Sequence, residues 1–235
     1  MKNHLYRMLV PASAFVLIFS LLIGLGLDHA VTVWAENRPI ERERCYVIDA
    51  GHGGIDGGAT SCTGVLESHL NLEIALRLND LMHFLGYETL MIRSDDRSVY
   101  TKGETIAAQK VSDLKHRVEI IENTPNPVLI SIHQNQFADS RYSGAQIFYA
   151  PSEESKLIAS DLQTAFRQTI NPGSKRQSKK ADNIYLLEHI SCPGILIECG
   201  FLSNPQEEYK LRSADYQKQI CIVIATKVTG FYSQS

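Results

Sequence analysis

Residues 45–59 read CYVIDAGHGGIDGGA, and the break inside this stretch decides the fold. Cys45–Ala50 is a short, largely apolar run that stops at a glycine, the pattern of a buried strand. A loop with Gly51, Gly53, Gly54 and Gly57 follows. Beyond it, Leu70, Ile74, Leu78, Leu81 and Leu85 fall on one face of a helix closed by Gly86. The same alternation continues along the chain. ETLMIR (88–93), VLISIH (128–133), AQIFYA (145–150), NIYLL (183–187) and ILIE (195–198) predict further strands. Leu114, Val118 and Ile121 predict a second helix, stopped by Thr124-Pro125-Asn126-Pro127. Ser152 before Glu153 and Glu154 predicts a capped helix start, and Ser213 predicts another, running through Tyr216, Ile220, Ile224 and Phe231. Strands interleaved with helices predict an α/β fold. It is a single domain with a mostly parallel, twisted sheet of about six strands flanked by helices.

Outward from this core, the N-terminus is different in kind. Met8–Leu27 is an uncharged apolar run, preceded by Lys2 and Arg7 and followed by Asp28. Such a segment is a secretory signal or a membrane anchor, and either sends the rest of the chain out of the cytoplasm. Residues 1–35 are therefore expected to be a signal peptide or anchor, with 36–44 (ENRPIERER) a charged linker and 45–235 the folded domain. The formal net charge of the 235 residues is −3. That gives no electrostatic case for a nucleic-acid binder. The five cysteines are Cys45, Cys62, Cys192, Cys199 and Cys221. An odd number leaves at least one thiol unpaired within the chain, and no C-x-x-C motif is present for a zinc ribbon or a thioredoxin-type site. Cys45 and Cys199 lie in apolar runs and read as small buried hydrophobes.

In an open α/β sheet the site lies off the carboxyl ends of the strands. There stand His52, just past the first strand, His133, closing VLISIH, and Glu198, closing ILIE. Glu67 opens the first helix near the same edge. Two imidazoles and two carboxylates suit a catalytic zinc, which takes three nitrogen or oxygen ligands and needs a further carboxylate to accept a proton. Scattered structural histidines and acids are the competing reading, since no H-E-x-x-H spacing exists here. The glycine-rich loop is not a dinucleotide site, because the sixth position of G-x-G-x-x-G is Asp56 and the helix opens too far downstream.

Four segments carry a resemblance. Val47–Ala59 (VIDAGHGGIDGGA), Gly64–Glu67 (GVLE) leading to Asn71-Leu72, Ser131–Asn135 (SIHQN) and Pro193–Asn204 (PGILIECGFLSN) are similar, in order, to the motifs of the zinc-dependent N-acetylmuramoyl-L-alanine amidases. Within that family the chain most resembles the germination-specific spore-cortex enzymes, on its short length without wall-binding repeats and on Thr105–Arg117 (TIAAQKVSDLKHR), which precedes the second predicted helix. The resemblance implies zinc held by His52, Glu67 and His133, with Glu198 as the catalytic base. It implies peptidoglycan as substrate and cleavage between the lactyl group of N-acetylmuramic acid and L-alanine, on the way to muramic-δ-lactam in the cortex. The implied location is extracytoplasmic, in the forespore–mother cell intermembrane space or wall. An accessory protein is a further expectation, because no wall-binding module is left over.

Asn135 stands either to bond a substrate carbonyl or to fix the His133 loop. Among the other histidines, His69 points away from Glu67, His83 and His116 are mid-helix, His4 and His29 fall in the targeting segment, and His189 is placed to line the cleft. Lys175–Lys180 is a solvated loop or a basic rim for an anionic glycopeptide. A zinc carboxypeptidase is the competing enzyme; it needs an arginine clamp, for which Arg93, Arg97 and Arg117 are candidates. A non-catalytic wall-binding protein is the third reading, and the four intact site residues speak against it.

Overall fold

The structure is a computed structural model and describes residues 44–233. The apolar run and most of the linker lie outside the described residues. Among those described, no helix is long and apolar enough to cross a membrane.

Six strands make one sheet: β1 (Cys45–Ala50), β2 (Glu88–Met91), β3 (Pro127–Asn135), β4 (Gln146–Tyr149), β5 (Lys179–Lys180) and β6 (Gly194–Phe201), in the order β2-β1-β3-β6-β4-β5. Every pairing is parallel except β4 with β6. Among the described residues six helices accompany the sheet: α1 (Glu67–Phe84), α2 (Ile106–Glu122), α3 (Glu153–Thr169), α4 (Tyr185–Glu188), α5 (Pro205–Leu211) and α6 (Ala214–Tyr232). Because side chains alternate across a strand, the sheet sorts its residues into two cores. Ile48, Ile130, Ile132, Ile195 and Ile197 face α1, α3 and α6. Val47, Leu129 and Leu196 face the other way and cluster with Ile121 of α2 and with Leu186 and Leu187 of α4. The expected α/β architecture is what forms.

Some local expectations fail. NIYLL is not a strand: Asn183 takes a φ of 60°, which breaks an extended run, and Tyr185–Glu188 form one helical turn. That turn buries the adjacent Leu186 and Leu187, which a strand facing two ways would have separated. The sixth strand is instead Lys179–Lys180 at the sheet edge, where charged side chains discourage edge-to-edge pairing. The stretch Thr105–Arg117 does not precede α2 but supplies most of it, with the Thr105 hydroxyl accepting from the Ala108 N–H at 3.2 Å. Ser152 caps α3 as expected, accepting from Ser155 N–H at 3.1 Å. Ser213 sits at the start of α6 without making a side-chain cap. Helix α5 is an addition, started by Asn204, whose Oδ1 accepts from Gln206 and Glu207 N–H, and by Pro205 in its first turn.

All five thiols are free, and only Cys62 is exposed. Burial raises the pKa of the others, Cys192 to about 11 and Cys221 to about 12. A buried, protonated thiol is a poor nucleophile. Native protein is therefore expected to take up one equivalent of a maleimide quickly, at Cys62, and the remaining four only after denaturation, as read by mass spectrometry.

Candidate metal centre

Strands β1, β3 and β6 run parallel, so their carboxyl ends share one rim. His52 stands just past β1 with a φ of 62°, a left-handed conformation costly for a residue with a Cβ. Two buried arginines hold it there. Arg93 donates from Nε to Ala50 O at 2.8 Å and from Nη2 to Gly51 O at 3.0 Å and Ser68 O at 2.9 Å. Arg117 donates from Nη1 to Ala50 O at 3.0 Å and from Nη2 to His52 O at 2.8 Å. Arg117 also pairs with Asp49 and, at 2.6 Å, with Asp113.

These contacts settle the arginine-clamp expectation. Arg93 and Arg117 are 1% and 2% exposed, and their donors are spent on main-chain carbonyls and internal carboxylates. Arg97 is exposed and paired with Asp95 at 3.1 Å. Arg93 and Arg117 are therefore structural, and Arg97 is engaged by Asp95, so none of these three candidates forms the clamp.

The His52 ring is oriented by Asp56, whose Oδ2 accepts from Nδ1 at 2.9 Å; Lys110 holds the other oxygen at 2.8 Å. That leaves Nε2 turned to Glu67, 3.3 Å from Oε2. Glu67 is the first residue of α1 and is almost fully buried. Its Oε2 accepts from Ala59 N–H at 3.0 Å, and its Oε1 from Gln134 N–H at 3.1 Å, from Asn71 Nδ2 at 3.2 Å and from His133 Nδ1 at 3.0 Å. The two imidazole rings lie 5.0 Å apart between centroids. One ligand atom each from His52, Glu67 and His133 falls within a mutual 4.8 Å. Two imidazole nitrogens and a carboxylate oxygen are a donor set for a first-row divalent cation.

Two glycines make this closeness possible. A Cβ on Gly51 would stand 2.2 Å from Cε1 and Nε2 of His133, and one on Gly58 would stand 2.7 Å from Glu67 Oε2 and from His52 Cδ2. The glycine-rich loop is thus shaped by the site's own side chains.

Glu198 lies opposite His133 in the β3–β6 register. Its Oε2 is buried with no hydrogen-bond partner among the described residues. Burial pushes its pKa up to about 7, against a lowering pull from His133. Glu67 goes the other way: burial would raise it, but the two histidines hold it far below the usual carboxylate range. Burial would likewise lower the His52 pKa, but Glu67 and Asp56 raise it to about 9. The cluster attracts positive charge, and one carboxylate beside it is left unpaired.

The family model for N-acetylmuramoyl-L-alanine amidase matches residues 47–229. The chain belongs to this amidase family. It is 33% identical over 189 residues to the germination-specific N-acetylmuramoyl-L-alanine amidase of Bacillus subtilis, covering 80% of this chain and 79% of that protein. The CwlD amidase of Clostridioides difficile, solved in complex with the GerS lipoprotein, superposes with a TM-score of 0.78 at 36% identity, covering 81% of this chain and 99% of that one. An N-acetylmuramoyl-L-alanine amidase from Clostridium difficile 630 superposes at 0.70 with 29% identity, covering 81% and 97%.

In this amidase Asn135 closes β3 at a register shift between β3 and β6. Its carbonyl accepts from Leu202 N–H at 2.8 Å. His189 does not reach the site: it stacks on Tyr185 at 3.8 Å, and Tyr185 is the one that lines a cavity of 210 Å³ beside His52 and His133. His69 pairs with Asp96 at 3.2 Å, His83 meets Thr89 Oγ1 at 2.6 Å, and His116 meets Glu119 at 3.0 Å, all away from the centre. Sequence reasoning missed Asp56 and Lys110. Asp56 had a signal, four residues after His52 within the glycine run; Lys110 had none.

Gly51→Ala is expected to fold yet lose metal, because the new methyl displaces the His133 ring. Metal content after dialysis against a limiting divalent cation, read beside circular dichroism, checks it. Full occupancy in the variant would show that His133 has room to spare.

Proposed function

We propose that the protein is a zinc-dependent N-acetylmuramoyl-L-alanine amidase that removes stem peptides from peptidoglycan, with spore cortex as its setting. The observation that carries this reading is the convergence of His52, Glu67 and His133 within 4.8 Å, together with Glu198, opposite His133 on the neighbouring strand, whose Oε2 is buried without a hydrogen-bond partner among the described residues. His52, Glu67 and His133 hold the ion. Bound there, zinc supplies Lewis acidity to a water and to the scissile carbonyl.

The chain's own groups do the rest. Asp56, braced by Lys110, keeps the His52 Nδ1 proton in place and so leaves Nε2 as the ligand atom. Backbone N–H groups of Ala59 and Gln134 fix the Glu67 carboxylate against rotation. Glu198 accepts the proton of the attacking water and returns it to the departing alanine nitrogen. Its raised pKa suits both directions of that transfer near neutral pH. Asn135, at the same rim, offers its side-chain amide to a substrate carbonyl.

Residues 1–35 act as signal peptide or membrane anchor and 36–44 as linker, so residues 45–235 work outside the cytoplasm. An accessory protein belongs to this reading, as the GerS complex of the related CwlD supports.

The test is digestion of purified sacculi by the full chain, with and without zinc, followed by mass spectrometry. New muramic acid carboxyls together with free N-terminal L-alanine are expected; release of single terminal amino acids would overturn the reading in favour of a carboxypeptidase. In the same assay Glu198→Gln keeps its zinc but loses turnover by about 100-fold or more, since an amide cannot accept the proton.

A further inference from the structure

On the far side of β6 from His133 the surface opens into a cleft of 1060 Å³. Its walls carry Arg141, Lys175, Arg176, Lys179 and Lys210. The acid among the lining residues, Glu207, has its oxygens occupied, accepting from Gly144 N–H at 2.8 Å and from Phe201 N–H at 2.9 Å. Lys175, Lys179 and Lys210 make no ion pair within 4.0 Å among the described residues. Arg141 is held by Asp139 at 2.7 Å, so the three lysines are the cations that the cleft leaves without a paired carboxylate, in a chain whose net charge is −3.

The walls are built, not loose. Gln146 Nε2 donates to Gln177 O at 2.6 Å, Arg176 Nε to Ser143 O at 2.9 Å, and Asn204 Nδ2 to Tyr142 O at 3.2 Å. Ala145 N–H donates to Asn171 Oδ1 at 3.0 Å. Beside this framework stand two half-exposed rings, Phe137 and Tyr142, 4.6 Å apart, of which Tyr142 lines the cleft. The position is continuous with the active rim. Gln146 stands opposite Glu198 in the β4–β6 pairing, and Phe201 stands opposite Asn135. Neighbouring strands lie about 4.8 Å apart, so the cleft begins one strand beyond the base.

We infer that this cleft is a subsite for the carboxylates of the stem peptide, with Phe137 and Tyr142 supporting the peptide on its way from the scissile amide. This rests on the amidase reading and names the branch of the substrate that the cleft selects. The glycan side of the bond is uncharged at its sugar rings. The peptide side is anionic beyond the first alanine, with acidic residues and a terminal carboxylate. Unpaired cations choose between the two branches by charge. The cleft is open, so its contribution falls with ionic strength.

The experiment compares two substrates on the full, zinc-loaded chain: muramoyl-L-alanine, whose one peptide carboxylate lies next to the scissile amide, and a muramoyl tetrapeptide, L-Ala-γ-D-Glu-diaminopimelate-D-Ala, which carries further carboxylates at a greater reach. For Lys175→Glu/Lys179→Glu, the ratio of tetrapeptide KM to muramoyl-L-alanine KM is expected to rise about tenfold at low salt. The rise should shrink in 0.5 M NaCl and be absent in Lys175→Arg/Lys179→Arg. A ratio equal to wild type at low salt would overturn the subsite. Binding of the free tetrapeptide, followed by chemical shifts of the cleft residues, reads the same question without turnover. If wild type cleaves neither substrate but the free tetrapeptide shifts the cleft residues, the amidase reading fails and the subsite stands. If both substrates are cleaved and the tetrapeptide shifts nothing, the subsite fails alone.

Discussion

Two buried guanidinium groups hold the active rim in place. The chain leaves β1 and must turn sharply so that His52 faces Glu67, which leaves the carbonyls of Ala50, Gly51 and His52 pointing inward, away from any ladder partner. Buried carbonyls without donors are expensive. Arg93 and Arg117 bring planar sets of N–H donors to these oxygens and to Ser68 O. Burying a cation has its own cost, and Asp49 offsets it for Arg117 while also accepting from Ser131 Oγ at 2.6 Å. Taking away one member of such a buried pair costs about 3–5 kcal/mol, because the other charge is stranded. The left-handed turn at His52, worth roughly 1–3 kcal/mol of strain, persists because this network over-determines it.

The same network ties α2 to the candidate metal centre. Lys110, Asp113 and Arg117 lie at helical spacing: Lys110 meets the loop after β1 through Asp56, Arg117 meets it directly, and Asp113 braces Arg117 at 2.6 Å while accepting from Val99 N–H, beyond β2, at 2.6 Å. Around the cluster, electrostatics divides the two glutamates into different states, Glu67 buried and Glu198 part-buried with its Oε2 buried. Glu67 sits between two imidazoles and several N–H donors, so its charged form is favoured. Glu198 has no donor on its buried Oε2, so burial raises its pKa to about 7 and both of its forms are accessible near neutral pH. The same side chain is thus held charged in one place and brought close to its protonation range in the other.

What the sequence made legible follows from this geometry. His52, His133 and Glu198 were visible because parallel strands deliver their carboxyl ends to one rim, and the residue after each apolar run is readable without coordinates. Glu67 was visible as the acid opening the first helix. Arg93 and Arg117 were visible only as cations, and their reading as a substrate clamp failed. Nothing in a one-dimensional pattern says that the carbonyls of residues 50–52 will turn toward them. NIYLL failed for a related reason: a short apolar run has no period, and the left-handed Asn183 that turns it into a helix start is a tertiary choice. Lys179–Lys180 carries no hydrophobic signal because both faces of that edge are wet.

The size of the spaces around the centre constrains how a polymer is recognised. The cavity directly beside His52 and His133 measures 210 Å³, and its lining includes Leu114, Ile184, Tyr185, Asp56 and Lys110. Sites that enclose a whole small ligand run from about 300 to 1,000 Å³. A space this small accepts a side-chain-sized group and no more, so the bulk of any glycopeptide has to lie along the rim. Enclosure therefore does little to align the scissile bond. Alignment falls to fixed points: the His52–Glu67–His133 cluster, the Glu198 carboxylate on the strand beside His133, and whatever the rim offers beyond them. A network of buried arginines is a fitting foundation for such a site, because an open surface that must hold a reacting bond within about 0.5 Å of productive geometry depends on the rigidity of what lies beneath it.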